Sequence, residues 1–214
     1  VRNLMNYLQL VNNFMIETDM DDQIVTVTGQ IDDGLKATIW IRDAWLQIQR
    51  REKWEFLWYE GTMTTVASQS TYPKSDLTTG RVNRDSLRLP ATRSYIHAYS
   101  IDSFRFNTDT GIPSKVAYLP DESMVLNPIP DAAYVITADC YAKPVTLVND
   151  TDVPSLDEDF HKAIVWIAIS NYAREQGAEW SGLYTVANRE FNQIYSTMTN
   201  RYMPDMQPKV GLIK

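Results

Sequence analysis

Two histidines, one cysteine and two knots of carboxylates are the side chains here with chemistry to offer. His97 and His161 are the only histidines. A general base needs a partner to orient it and hold its tautomer. His161 stands beside Phe160 in a helical pattern, so a structural or surface-donor role is expected of it. Asp19, Asp21 and Asp22 lie close together but lack the glycine and the distal glutamate of a calcium loop. They read as solvated loop acids. Asp157, Glu158 and Asp159 fall where a helix would begin and favour its positive end. No carboxylate pair stands out as a glycosidase pair. Cys140 lies in an apolar strand pattern and reads as a small core residue. Metal-ligand spacing, a glycine-rich phosphate loop and a Gly-x-Ser-x-Gly elbow are all missing from the sequence. The expectation is a protein that is not an enzyme and takes neither metal nor cofactor.

Composition points the same way. A chain of 214 residues suits one or two domains and can bury a core without staples. A single cysteine excludes an intramolecular disulfide. The net charge of −7 argues against gripping nucleic acid through phosphates, which takes a basic surface. An acidic wall would instead repel phosphate and let a polymer slide past. Six tryptophans and twelve tyrosines fit either a β-rich core or a large protein interface. The first residues, VRNLMNYLQL, are too short and polar for a secretion signal. Apolar runs fall well short of the roughly 20 residues needed to span a bilayer. A soluble protein made in a reducing compartment, with no membrane partner, is expected.

The elements that would position these side chains follow from periodicity. Leu4, Leu8, Val11 and Met15 form a helical stripe over residues 3–17. Ile24 to Val27 reads as a short strand, and residues 33–51 as a second helix capped by Asp33. Trp54, Phe56 and Trp58 then alternate with Glu55, Leu57 and Tyr59, Gly61 follows, and Thr62 to Val66 continues in β-favouring residues, which reads as strand, turn, strand. Residues 67–83 read as a long loop. Short strands are expected near Leu87–Leu89, Tyr95–Tyr99 and Val116–Leu119, with one helical turn over 101–106. Met124 to Tyr141 reads as a β-hairpin broken at Asn127-Pro-Ile-Pro130-Asp131. A Ser155-x-x-Glu158 capping box opens a third helix that Gly177 stops. A fourth runs from about Gly182 to Tyr202, and Pro204 ends it.

The expected class is therefore α+β. Two N-terminal and two C-terminal helices make one four-helix frame, each hiding one apolar face. An antiparallel β-domain is inserted between them, and an extended tail follows. The corresponding divisions are residues 1–53, 54–145, 146–203 and 204–214.

Five stretches carry a family resemblance. They are Val27-Thr-Gly-Gln30 before a helix bearing Trp40, Trp45 and Gln47-Ile48-Gln49; Trp54-Glu-Phe-Leu-Trp58; and Arg84-Asp-Ser-Leu-Arg-Leu-Pro90. Further on come Leu126-Asn-Pro-Ile-Pro130 with Tyr134 and Tyr141-Ala-Lys-Pro144, then Val153-Pro154 with Glu158-Asp-Phe-His161 and Ala163-Ile-Val-Trp166. In this order, from Val25 to Met203, the chain resembles the tailed-bacteriophage head-to-tail adaptor family, also called connector or head-completion proteins.

The resemblance implies a virion protein of the neck, assembled in the host bacterial cytoplasm. It implies a homo-oligomeric ring, usually of twelve copies, beneath the portal protein. Such a ring extends the DNA channel without sequence-specific binding and presents a platform for the next neck, stopper or tail protein. By analogy Met203–Lys214 is a docking arm for the portal, with Met203, Met206, Val210, Leu212, Ile213 and Lys214 as its contact residues. The arm is too short for its own core and could order by burying those side chains on a partner. Ser68–Asn83 is a candidate contact with the downstream ring, through Ser68, Thr71, Tyr72 and Lys74. The alternative is another virion accessory protein, such as a glycan-binding module using exposed aromatics.

Overall fold

The computed structural model describes residues 4–20, 23–104 and 108–203. The chain divides into two compact units. One is built from its two ends, up to Phe56 and from Pro144; the other is Leu57–Lys143. The α+β class stands, with four long helices and predominantly antiparallel sheets.

The helical unit holds α1 (Tyr7–Glu17), α2 (Asp32–Arg51), α3 (His161–Gln176) and α4 (Ser181–Tyr202). Helix α1 starts later than its apolar stripe suggests. Asn6 Oδ1 accepts from the Gln9 amide at 2.9 Å and Gln9 Oε1 from the Asn6 amide at 3.0 Å, a reciprocal cap that fixes the first turn. Helix α2 has no side-chain cap. Asp33 lies inside its first turn and pairs with Lys36 at 2.9 Å, where an acid suits the helix dipole. The expected capping box of the third helix does not form. A 3-10 turn over Glu158–Phe160 precedes α3, and neither the turn nor the helix has a side-chain cap. Gly177 ends α3 at φ +96°, a backbone region that glycine enters without penalty.

Helix α3 departs from the one-face expectation. Ala163, Ile164, Val165, Ile167, Ala168 and Ile169 are all buried, so its apolar surface wraps the whole cylinder. A helix that is apolar all round belongs inside, and α1, α2 and α4 all pack against α3.

Segment 24–27 is not a strand. Side chains claim its backbone instead: Ile24 N–H donates to Asn12 Oδ1 at 3.0 Å, and Val27 N–H donates to Asp150 Oδ1 at 2.6 Å. Trp54 and Phe56 are not strand residues either. A 3-10 turn occupies Glu55–Leu57. Phe56 stacks between Trp45 (6.1 Å between centroids) and Trp54 (5.8 Å), and Tyr202 meets Phe56 edge-on at 5.3 Å. The indole of Trp54, fully buried, donates to Ile48 O at 2.6 Å. Each such aromatic pair adds about 0.5–1.5 kcal/mol beyond area burial. Many of the aromatics thus go into a core that ties the end of α4 to the end of α2.

The second unit carries short strands: β1 (Trp58–Thr64), β2 (Thr71–Tyr72), β3 (Arg81–Val82), β4 (Arg88–Leu89), β5 (Ser94–Tyr95), β6 (His97–Ala98), β7 (Thr110–Gly111), β8 (Lys115–Tyr118), β9 (Met124–Asn127), β10 (Ile129–Pro130) and β11 (Val135–Tyr141). One sheet runs β1-β11-β4-β5, with β3 also on β11; a second runs β2-β9-β8-β6; β7 and β10 pair alone. The pairings β6–β8 and β7–β10 are parallel and the rest antiparallel.

The expected hairpin over Met124–Tyr141 is absent. Strand β9 pairs with β2 and β8, and β11 pairs with β1, β3 and β4, in different sheets. The proline-rich break between them does more than reverse the chain, because Ile129–Pro130 there pairs with Thr110–Gly111. The long loop over 67–83 also resolves into β2, a 3-10 turn at Lys74–Asp76 and β3. Met63, Tyr72, Leu87, Ile96, Val116, Leu126, Ile136 and Cys140 are among the buried side chains of this core. Cys140 is buried, as its strand pattern predicts, and burial pushes its thiol pKa up.

Candidate interaction surfaces

Of the side chains first considered for chemistry, His161, Asp157 and Asp159 have structural partners, and Asp21 and Asp22 lie outside the described residues. His161 is fully buried. Its Nδ1 lies 3.2 Å from the Met5 amide and its Nε2 2.9 Å from Leu156 O. A neutral ring protonated on Nε2 satisfies both, donating to Leu156 and accepting from Met5. His97 is exposed at the edge strand β6. Arg201 pairs with the Asp157 carboxylate and lies 3.9 Å from that of Asp159. Among the described residues no group of His, Cys, Asp and Glu could hold a metal ion. No helix among them is long and apolar enough to cross a membrane.

Acids of the 149–152 loop hold backbone rather than face a substrate. Asp152 Oδ2 accepts from the amides of Val148 (2.7 Å) and Asn149 (2.9 Å). These bonds, Asn149 first, hold its carboxyl below the usual carboxylate range. The carbonyls of Asp152 and Asp150 accept from the Tyr7 and Leu8 amides at 2.8 and 3.3 Å. That satisfies donors the first turn of α1 leaves over.

Surfaces remain. Leu35 and Ile39, four apart on α2, are exposed and share one face of the helix, and Ile31, just before the helix, is exposed as well. Helix α4 exposes Asn192, Gln193, Ser196, Thr197 and Asn200, a largely uncharged polar face. On the β-unit, Arg88 lies between Asp139, at 3.0 Å, and Glu60. Asp139 and then Glu60 strengthen its hold on its proton. Beside this clamp is an open cavity of about 350 Å³, lined by Pro90, Arg93, Ser94, Tyr95 and Thr137 among others. The Thr137 hydroxyl there is buried without a hydrogen-bond partner among the described residues.

The residues expected to touch the downstream ring fall in different environments. Ser68 and Thr71 are exposed; Lys74 is half-buried and paired with Glu122. Tyr72 is a core residue, 1% exposed. Its hydroxyl accepts from the Val66 amide at 2.9 Å and faces the Gln69 carbonyl at 3.0 Å. Its side chain is buried rather than presented by a loop, because Thr71–Tyr72 is strand and strands bury alternate side chains. Met203 is half-buried at the end of α4, its amide donating to Thr199 O at 2.9 Å. Met206, Val210, Leu212, Ile213 and Lys214 lie outside the described residues.

A family model described as SU10 adaptor protein matches residues 5–208. That span runs from just before α1 past the end of α4, so it takes in both units and every element described above. The curated proteins give no match.

Proposed function

The chain belongs to the SU10 adaptor protein family, and from that premise we propose that it forms a ring beneath the phage portal, extends the DNA channel and seats the next neck or tail protein. The observation that carries this reading is the family match over nearly the whole chain. The ring is twelve-membered, as the family resemblance implies. It belongs to the virion neck and is a structural part rather than a catalyst.

Three features support it. Exposed Leu35 and Ile39 on α2, with Ile31 just before it, offer an apolar contact for a neighbouring copy. The charge-poor face of α4 suits an interface core, which is depleted of charged residues. The net charge of −7 suits a wall past which DNA slides without being held. Residues 203–214 act as the portal-docking arm, through Met203, Met206, Val210, Leu212, Ile213 and Lys214. Ser68, Thr71 and Lys74 face the downstream ring.

Co-sedimentation with the portal ring of the same phage tests the reading. The full chain is expected to travel with the portal. A full chain that stays behind at every ionic strength would overturn it.

A further inference from the structure

Strand β1 is the longest edge in the β-unit, and one side of it is bare. Thr65 N–H donates to Tyr134 O at 2.9 Å, and Ala142 N–H to Leu57 O at 2.8 Å. These bonds bracket the β1–β11 ladder and set its phase. In an antiparallel ladder alternate residues exchange both bonds with the partner. Odd-numbered β1 residues therefore turn their amides and carbonyls toward β11. Trp58, Glu60, Thr62 and Thr64 turn theirs away. Among the described residues no hydrogen bond engages those outward backbone groups. All four residues are exposed.

Free edges invite pairing, and proteins usually blunt them with proline, lysine or a bulge. Strand β1 has neither proline nor lysine, and its seven positions pair with β11 in unbroken register. Its one charge, Glu60, is folded back onto Arg88.

We propose that β1 is a strand-addition site for an extended segment of another neck protein, the one that docks on this adaptor. This rests on the adaptor reading for the partner's identity and adds the surface and the mode of binding. The occupant is about seven residues long, the length of the bare edge. It is rich in β-branched or aromatic side chains at alternate positions, to lie beside Trp58 and Thr62. It carries no acidic residue, because this chain is itself net negative. A second copy does not fit. Neighbours in a ring meet through two different surfaces, whereas β1 against β1 would close a pair. Among the described residues the other edge strands, β2, β3, β5, β6, β7 and β10, have two residues each, too few to cover it.

Residue-resolved hydrogen exchange of the full chain tests this in three states: alone, on the portal ring, and on the portal ring with the downstream neck protein added. The amides of Trp58, Glu60, Thr62 and Thr64 should exchange at least tenfold more slowly in the third state only. Thr62→Pro removes one outward N–H, which an edge strand tolerates. It should keep its melting temperature and its portal attachment and lose the downstream protein, while Thr62→Val recruits it normally. Thr64→Pro repeats the test at a second amide should Thr62→Pro fold poorly. Protection already present in the chain alone or on the portal would overturn the proposal, the latter by showing that another copy or the portal covers the edge. Normal recruitment by both folded proline variants would also overturn it. Failure of the unmodified chain to bind the portal would instead sink the adaptor reading.

Discussion

The amide of Met5 donates to Nδ1 of His161 at 3.2 Å, across 156 positions of sequence. The opposite ring nitrogen reaches Leu156 O at 2.9 Å. One buried imidazole therefore joins the segment before α1 to the chain entering α3. His161→Phe keeps much of the volume and strands both backbone groups. Each unsatisfied buried group costs about 1–3 kcal/mol, so urea unfolding should show a loss of about 2–6 kcal/mol. A loss below about 0.5 kcal/mol would mean that the ring only fills space.

Gly80 makes a second tight relationship. A Cβ built on it would lie 1.9 Å from Tyr141 O, so the backbone must shift for any side chain to fit. Gly80→Ala should destabilise the β-unit by about 1–3 kcal/mol, the usual cost of overpacking. Thermal unfolding followed in the aromatic circular dichroism would register it. An unchanged melting temperature would contradict this packing.

Buried tyrosines give the pH dependence a sign. Burial raises the pKa values of Tyr7, Tyr72 and Tyr118. A group whose folded pKa is raised contributes stability fully present below its unfolded value and lost as pH rises through the folded one. Free tyrosine titrates near about 10. On the tyrosine account, stability should hold up to about pH 9 and decline from about pH 10 upward, and Tyr118→Phe should soften the decline. Denaturant midpoints from pH 7 to 11 would measure this; a rise in stability above pH 10 would contradict it.

Helix positions were legible in the sequence because their period is local. Leu8, Val11 and Met15 follow α1, and Gly177 marks the end of α3. The caps were less so. Asn6 and Gln9 carry a readable box that the Leu4 stripe overshadowed, whereas Ser155 and Glu158 match the pattern yet flank a 3-10 turn. Strand partners were not legible. Met124–Asn127 and Val135–Tyr141 are close in sequence and lie in different sheets, because pairing is decided by non-local burial. The same limit applies to the surfaces. The sequence reads as two strands about Gly61, yet β1 runs unbroken from Trp58 to Thr64 because Gly61 pairs with Ala138 in the ladder, and only the ladder shows which side is bare. Tyr72 reads as a loop aromatic in the sequence, and only the tertiary packing buries it.

On the proposed assembly, Ile31, Leu35 and Ile39 lie between neighbouring copies. Replacing all three by serine should leave melting within about 1 kcal/mol, since exposed substitutions usually shift stability by a few tenths each. Ring formation on the portal should fail. Rings of normal mass from the triple variant would remove α2 from the interface.

The arm makes a separate prediction. Deleting residues 204–214 should keep the fold of the described residues and abolish co-sedimentation with the portal. Attachment that survives the deletion would assign docking to another surface.

The most direct test of the adaptor account is the native mass of the purified 24.6 kDa chain, alone and then with its phage's portal ring. The account predicts a closed ring, twelve-membered, either free or appearing once the portal is present. A chain that stays monomeric and ignores the portal would contradict it.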